Sequence, residues 1–415
     1  MQKIMTWLTD SFAPKARKFT QNPWVGAVAD TFTKALPFIL AGSLIFLYGN
    51  IRTLLPMLPD LGTVCDFTFG LLGLFTAFLI PYNVMEKTKH RKYQIPAGLL
   101  GIAVFMLILR PQFDENWWMF VDFNYYGPTG LFVAIMTGLV TSLVYYLWAK
   151  VRFLENSAAI PEFVVEWINN LVPIFFLLCV EAAIINSTSI DLVHVIEKIF
   201  APLASFGQTY LGMVLGQFIP CLLFSLGISA WAFEGINGPI QMAGTTANAA
   251  LMAAGLAATN LNTSEAMSAI GIVNLGGMGA TLGLNLLALF LAKSKKLKSL
   301  GKVCLGTSIF NINEPIIYGF PIAYNPILMV PFLLCSIIGP TIVYIACRTN
   351  LLNVPTLYNY MGITPGPIAS IVFSQDWRGI IWWVIALVIY TLVWYPFFKV
   401  YDKQCLEEEQ ASEEK

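Results

Sequence analysis

The sequence predicts an all-α polytopic membrane protein of about ten transmembrane helices, with interfacial amphipathic helices and at least one re-entrant hairpin. Three observations predict it. The chain of 415 residues is 57% hydrophobic and only 12% charged, apolar runs of spanning length recur along it, and Lys and Arg collect in particular links between those runs. A soluble chain is nearer half apolar and a quarter charged, so this one lacks the charged side chains needed to cover a water-facing surface. The formal net charge of zero excludes nucleic acid as a partner, because no basic field is present to neutralise phosphates.

A spanning helix needs about 20 apolar residues to cross a hydrocarbon core roughly 30 Å thick. Runs of that kind lie near 34–52, 66–85, 94–110, 129–149, 171–189, 208–231, 270–292, 325–347 and 378–399. The small-residue-rich stretch 241–260 is less apolar, and charge placement decides it. Lys15, Arg17 and Lys18, then Lys87 to Lys92, Lys150 with Arg152, and Lys293 to Lys302 mark cytoplasmic links, where Lys and Arg are enriched. The loop with Asp114, Glu115 and Asp122 reads as external. These assignments agree when 241–260 also crosses, which places both termini in the cytoplasm. No cleavable signal pattern opens the chain, so the first span is expected to insert itself.

Three stretches depart from a simple serpentine. Segments 156–170 and 190–206 carry apolar positions at three-to-four spacing and read as interfacial helices. Segment 303–322 is apolar but interrupted by Gly306, Pro315, Gly319 and Pro321. A full crossing there breaks the charge parity, whereas a hairpin entering and leaving on one side preserves it. Irregular backbone survives at membrane depth only where it is buried in protein or lines a wet cavity, which makes this hairpin the first candidate for a substrate site. The tail from Glu407 to Lys415 reads as a solvated acidic end.

The most informative residue is Glu314, in NINEPIIYG. A charged side chain at the bilayer centre costs ~2.5–3.5 kcal/mol or more, so a functional role is the default reading. Asn311 and Asn313 flank it, and Pro315 suits the first turn of a helix. The alternative is that Asn313 or Glu314 merely caps that helix. A second polar cluster, Glu234, Asn237, Gly238 and Gln241 in SAWAFEGINGPIQ, follows the sixth span, where an ordinary loop has the same composition. Lys34 and Glu181 are read as snorkelling side chains; Gln217, Asn248, Asn274 and Asn285 read as interhelical hydrogen-bonding residues. GGMGATLG at 276–283 lacks the lysine and preceding strand of a phosphate loop, and reads instead as close helix packing. The scattered cysteines, and His90 and His194, have no partner at ligand spacing, so no metal site or cofactor is expected. Cys405 reads as an idle thiol.

With these residues in place, the chain resembles a known family. INEPIIYGFPIAYNPILMVPF (312–332) is similar to the signature of the lactose/cellobiose/chitobiose-type enzyme IIC subunits of the bacterial phosphotransferase system. TKALPFILAGS (33–43), GING (235–238) and TPGPIASIVFSQDWRG through WYPFFKVYDK (364–403) support it across nearly the whole chain. The resemblance implies an elevator-type transporter in the bacterial cytoplasmic membrane, working as a homodimer. Its scaffold half would be 1–206, its substrate-carrying half 207–403 and its acidic cytoplasmic tail 404–415. The sugar, a β-linked disaccharide such as cellobiose, chitobiose or lactose, would be phosphorylated by the phosphocysteine of a separate enzyme IIB, with enzyme IIA upstream. Glu314 would hold the sugar hydroxyl that accepts the phosphoryl group. Two positions depart from the family pattern: Asn237 stands where many relatives have His, and Gly362 where many have Trp, so a stacking ring is missing there unless Tyr358, Tyr360 or an aromatic elsewhere replaces it. Two rival readings are an ion-coupled secondary transporter, with Glu314 as proton or cation site, and a membrane enzyme acting alone, for which no catalytic constellation is visible.

Overall fold

The computed structural model describes every residue except 1–9, 11–13, 16–17, 19–21, 55–56, 152–160, 189, 229, 358–363 and 414–415. Two compact units make up the chain, Thr20–Leu203 and Ala204–Lys415, the second also taking in Met1–Phe19. Helices dominate both, as expected for backbone that must satisfy its own polar groups in lipid. Six described helices are long and apolar enough to cross a membrane, or seven if one bent pair counts as a single span.

The first unit is built from α1 (Pro23–Leu54), α2 (Leu72–Lys87), α3 (Gln94–Ile108), α4 (Leu131–Ala149), α5 (Glu162–Ser187) and most of α6 (Leu192–Gly207). Helix α2 packs against α1, α3 and α4. Gly101 permits the closest approach: a Cβ there would stand 2.1 Å from the Ala77 carbonyl oxygen. Lys34 does not snorkel away from its neighbours. It reaches across to α2, 2.8 Å from Glu86 and 2.6 Å from Asn83 Oδ1. Glu181 likewise stays inside, buried in α5, with neither carboxylate oxygen hydrogen-bonded among the described residues. The expected interfacial helix at 156–170 is not a separate element, because Glu162 onward belongs to the 26-residue α5. Asn169 lies in mid-helix, where its carbonyl accepts a 2.7 Å bond from the Trp148 indole, and 156–160 lie outside the described residues. The 190–206 expectation corresponds to α6.

The second unit continues with α7 (Tyr210–Ser225), α8 (Glu234–Ala253), α9 (Leu282–Leu291), α10 (Lys295–Ile309), α11 (Glu314–Gly319), α12 (Pro326–Arg348), α13 (Gly366–Ser374) and α14 (Gly379–Glu413). Helix α12 packs on α7 and α14, and α9 on α10 and α14. Two expectations fail here. The apolar run 270–292 is not one helix: only Leu282–Leu291 is α-helical, and before it the chain turns repeatedly. Its GGMGATLG stretch is not a helix-packing stripe. Gly271, Gly276, Gly277 and Gly279 all have positive φ (68°, 80°, 102° and 72°), a region glycine enters without steric cost.

The re-entrant candidate 303–322 is broken, but at 310–313: Gly306 lies inside α10, Pro315 in the first turn of α11 and Gly319 at its end, and the first arm starts earlier than expected. Helix α10 begins at Lys295, so the basic stretch is helix rather than loop, and the chain breaks at 310–313 before α11. The acidic end is also more than a solvated tail. Helix α14 runs to Glu413, and its Asp402 accepts from the amides of Lys293 (3.0 Å) and Ser294 (3.0 Å). Glu409 accepts from Ser294 Oγ (2.6 Å) and from the amides of Lys295 (3.0 Å) and Lys296 (2.9 Å). Carboxylates thus satisfy the unpaired N–H groups that open α10. Cys405 lies buried on α14, and all seven cysteines are free.

Candidate functional site

The irregular segment between α8 and α9 is the centre of the candidate site. From 256 to 281 it has one π-helical turn, Glu265–Ala269, and otherwise no regular helix before Leu282. Its apolar residues, Leu261, Met267, Ile270, Ile272, Val273 and Leu275 among them, are buried in one core with Phe332, Tyr390 and Trp394. Buried backbone outside a helix needs partners from elsewhere, and here side chains supply them. Tyr390 donates its hydroxyl to the carbonyls of Ile272 (3.0 Å) and Val273 (3.3 Å). The Trp394 indole donates to Gly279 (3.3 Å) and Thr281 Oγ1 to Gly276 (2.8 Å). At the segment's start Gln208 forms a two-sided amide pair with the backbone of Asn262, both bonds 2.9 Å.

Asn311 and Asn313 are engaged with the same segment. Asn311 Oδ1 accepts from the Gly276 amide at 2.8 Å and its Nδ2 donates to the Thr364 carbonyl at 3.1 Å. Its φ of 59° is a conformation asparagine tolerates better than most residues. Asn313 occupies the N-cap position of α11 without making a side-chain cap; it donates instead to the Met278 carbonyl at 2.6 Å. Its side chain fills the space over Gly277, where a Cβ would stand 2.4 Å from Asn313 Cγ. The Glu314 backbone opens α11 directly above this contact; its side chain lies outside the described residues, as do Tyr358, Tyr360 and Gly362.

The second cluster lies at the start of α8. Glu234 folds back over its own first turn, its Oε1 2.9 Å from where a Cβ on Gly238 would stand. Asn237 is buried against Gly216 of α7, whose absent Cβ makes room for the amide. Gln241 is buried too, its carbonyl accepting from Thr245 Oγ1 at 3.1 Å. The two clusters meet through α7 and the irregular segment: Asn237 packs on Gly216, the neighbouring Gln217 donates to Asn274, and Asn274 accepts the Gly277 amide beneath Asn313. Gln217, Asn248, Asn274 and Asn285 all bond between elements, Asn248 to the backbone at 259–260 and Asn285 to Ser308.

Sequence reasoning missed Glu265, which is 1% exposed and accepts from Thr245 Oγ1 at 2.8 Å. It also missed the Gln208–Asn262 pair. The signal was present: NTSEAM places a carboxylate in an apolar run just as Glu314 does, but it fell in a stretch read as a link between spans. Among the described residues no group of three or more His, Cys, Asp or Glu is placed to hold a metal.

Comparison with known proteins places this architecture. The lichenan permease IIC component of Bacillus subtilis (strain 168) is 28% identical over 444 aligned positions, covering 100% of this chain and 97% of that protein. The lactose-specific EIICB component of Streptococcus mutans is 28% identical, covering 95% of this chain and 72% of the relative. The crystal structure of the transporter ChbC, the IIC component of an N,N'-diacetylchitobiose-specific phosphotransferase system, superposes with a TM-score of 0.84. It covers 97% of this chain and 99% of its own at 24% identity, and shares the fold. The family described as phosphotransferase system, EIIC, matches residues 29–336, most of the chain. That match over residues 29–336 shows that the chain belongs to the phosphotransferase system EIIC family.

Proposed function

We propose that this chain is the sugar-conducting membrane subunit of a phosphotransferase system that takes up a β-linked disaccharide or oligosaccharide. The observation that carries the reading is the break at 310–313, which ends α10 and opens a short helix at Glu314. A helix start there leaves unpaired N–H groups, and in this reading Glu314 takes the sugar at that point. A carboxylate accepting a bond from a sugar hydroxyl both recognises the sugar and positions the hydroxyl that takes up the phosphoryl group. Asn311, Asn313, Glu234, Asn237, Gly238 and Gln241 would complete the substrate site. The named substrates of the relatives, lichenan, lactose and diacetylchitobiose, are all β-linked, which supports that class.

In this reading the sugar is presented to the phosphocysteine of enzyme IIB, a separate protein charged by enzyme IIA. The S. mutans relative combines IIC and IIB in one chain, as its name states. Residues 1–206 act as the dimer-forming scaffold and 207–403 as the moving, sugar-carrying half. The chain crosses a bacterial cytoplasmic membrane about ten times with both termini inside, in keeping with the placement of Lys and Arg.

Calorimetric titration of the purified protein with cellobiose, chitobiose, lactose, a β-glucoside and glucose tests the substrate class. Saturable binding of a β-linked sugar that Glu314→Ala removes supports it, and failure of every β-disaccharide to bind overturns it. In cells, Glu314→Gln is expected to lower coupled uptake by roughly 10²-fold or more; near-wild-type uptake would overturn the site. Uptake that survives loss of the phosphoryl relay, and collapses with the proton gradient, would establish ion-coupled transport instead.

A further inference from the structure

Between α3 and α4, in the first unit, the chain forms a small β-hairpin that no transport step uses. Strand β1 (Gln112–Phe113) pairs antiparallel with β2 (Met119–Phe120), Gln112 opposite Phe120 and Phe113 opposite Met119. It carries four exposed rings: Trp117 is 81% exposed, Trp118 69%, Phe120 60% and Phe113 53%. A two-stranded hairpin of this size is marginal in water, and this one turns its rings outward instead of into a core. We propose that the hairpin is a lipid-binding element that dips its tip into the headgroup–acyl boundary of the bilayer and anchors the first unit there.

Three observations select lipid as the occupant. The hairpin joins two segments of spanning length, Arg91–Ile108 and Pro128–Ala149, so it lies in a short link at the bilayer surface. Exposed rings follow it in the chain and reach a third spanning segment. Phe123, just after the hairpin, stacks edge-on against Phe67 at 6.5 Å, and Phe67 is itself exposed on the Gly62–Lys87 span. The residue type also fits, because Trp concentrates at membrane interfaces, where its ring and its N–H have different solvents.

The same aromatic and acidic residues invite a reading as a sugar-stacking platform, and the geometry opposes it. Phe113 and Trp117 are tilted 56° to each other at 5.7 Å, which leaves no flat shared face for a pyranose ring. The acids are committed to the loop: Asp114 accepts from the amides of Asn116 (2.9 Å) and Trp118 (2.8 Å), and Asp122 from Asn124 N (3.0 Å) and Nδ2 (2.8 Å). Those bonds fix the turn that presents the tryptophans, Trp117 taking a φ of 61° at its corner. Asp114, Glu115 and Asn116 beside them set the depth at the headgroup layer, short of the hydrocarbon.

The test compares Trp emission of the full protein with that of the Trp117→Phe/Trp118→Phe double variant in phosphatidylcholine vesicles. The vesicles carry bromine either high or low on the acyl chain. The difference between wild type and variant isolates the two tip residues; Phe keeps the apolar bulk, and circular dichroism checks that the helices persist. If the double variant fails that check, the single Trp117→Phe variant gives the same difference signal. The expected result is that lipid brominated near the headgroup quenches the difference emission by about twofold, while low-chain bromine and aqueous iodide quench it less. Quenching by iodide with no response to either brominated lipid overturns the proposal. A change in the difference emission on adding cellobiose, with no response to brominated lipid, overturns it in favour of sugar capture. Neither outcome bears on Glu314, whose role is read from uptake.

Discussion

The packed helices of the first unit and the irregular segment of the second are both buried and apolar, yet they solve the backbone problem in opposite ways. In α2, α3 and α4 the backbone past the first turn bonds within its own helix, so the sequence need only be apolar at the right length. Tyr145 of α4 accordingly keeps a buried hydroxyl with no partner among the described residues. Between 256 and 281 the backbone is satisfied by side chains from far along the chain: Gln208, Asn311, Asn313, Tyr390 and Trp394. A polar side chain in the first region is incidental to the backbone, whereas in the second it holds the backbone in place. Such a segment can present a carboxylate and amides at depth, which a regular helix of apolar residues cannot.

The sharpest way to break this comparison is a methyl group at Gly279. Its φ of 72° disfavours any residue with a Cβ, and the added atom would stand 2.1 Å from the Phe332 ring. Left-handed strain and overpacking together predict that Gly279→Ala costs about 3 kcal/mol, read as a lowered midpoint of thermal unfolding and loss of sugar binding. A variant with wild-type stability would show that the turn is not the determinant.

Next in size is a matched pair of hydroxyl deletions. Tyr390→Phe leaves two buried carbonyls without their donor and should cost about 1–3 kcal/mol. Tyr145→Phe removes a hydroxyl that bonds to nothing described, and should change stability by less than about 0.5 kcal/mol or raise it. Equal effects would erase the distinction between the two regions.

A smaller effect sharpens the contrast between the buried segment and the loops outside the spans. Before α14, the Arg378 guanidinium bonded to Asp376 holds its carboxyl below the usual carboxylate range, with the ion pair at 2.7 Å and the Asn353 amide at 3.2 Å. A folded value below the unfolded one, about 3.9, means the contribution is complete above that pH and is lost as pH falls through the folded value. Thermal unfolding from about pH 5 downward should therefore lose less stability in Asp376→Asn than in wild type; parallel curves would remove Asp376 from the account. A modest gain, not a loss, is expected on α10, where a Cβ on Gly306 meets nothing within 4 Å. Gly306→Ala should stabilise by about 0.5–1 kcal/mol through helix propensity alone, and a loss would mean that the hairpin arm needs that glycine.

Much of this protein was legible from composition and spacing. Hydropathy located α2, α3, α4 and α12 closely, because a helix in lipid satisfies its own backbone and its sequence need answer only to length. The break at Glu314 was legible too, since Asn, Pro and Gly act on the chain locally. The run 270–292 was misread as a single span because its apolar composition is that of a helix. Its turns are held by a hydroxyl and an indole from α14, more than 100 residues away along the chain. The fate of Glu407–Lys415 was invisible for the same reason: Glu409 serves α10 across 113 residues. Local propensity and hydropathy report what a segment does with its own neighbours. Which distant side chain completes its backbone is settled only when the helices pack, and here that packing builds the floor beneath Glu314.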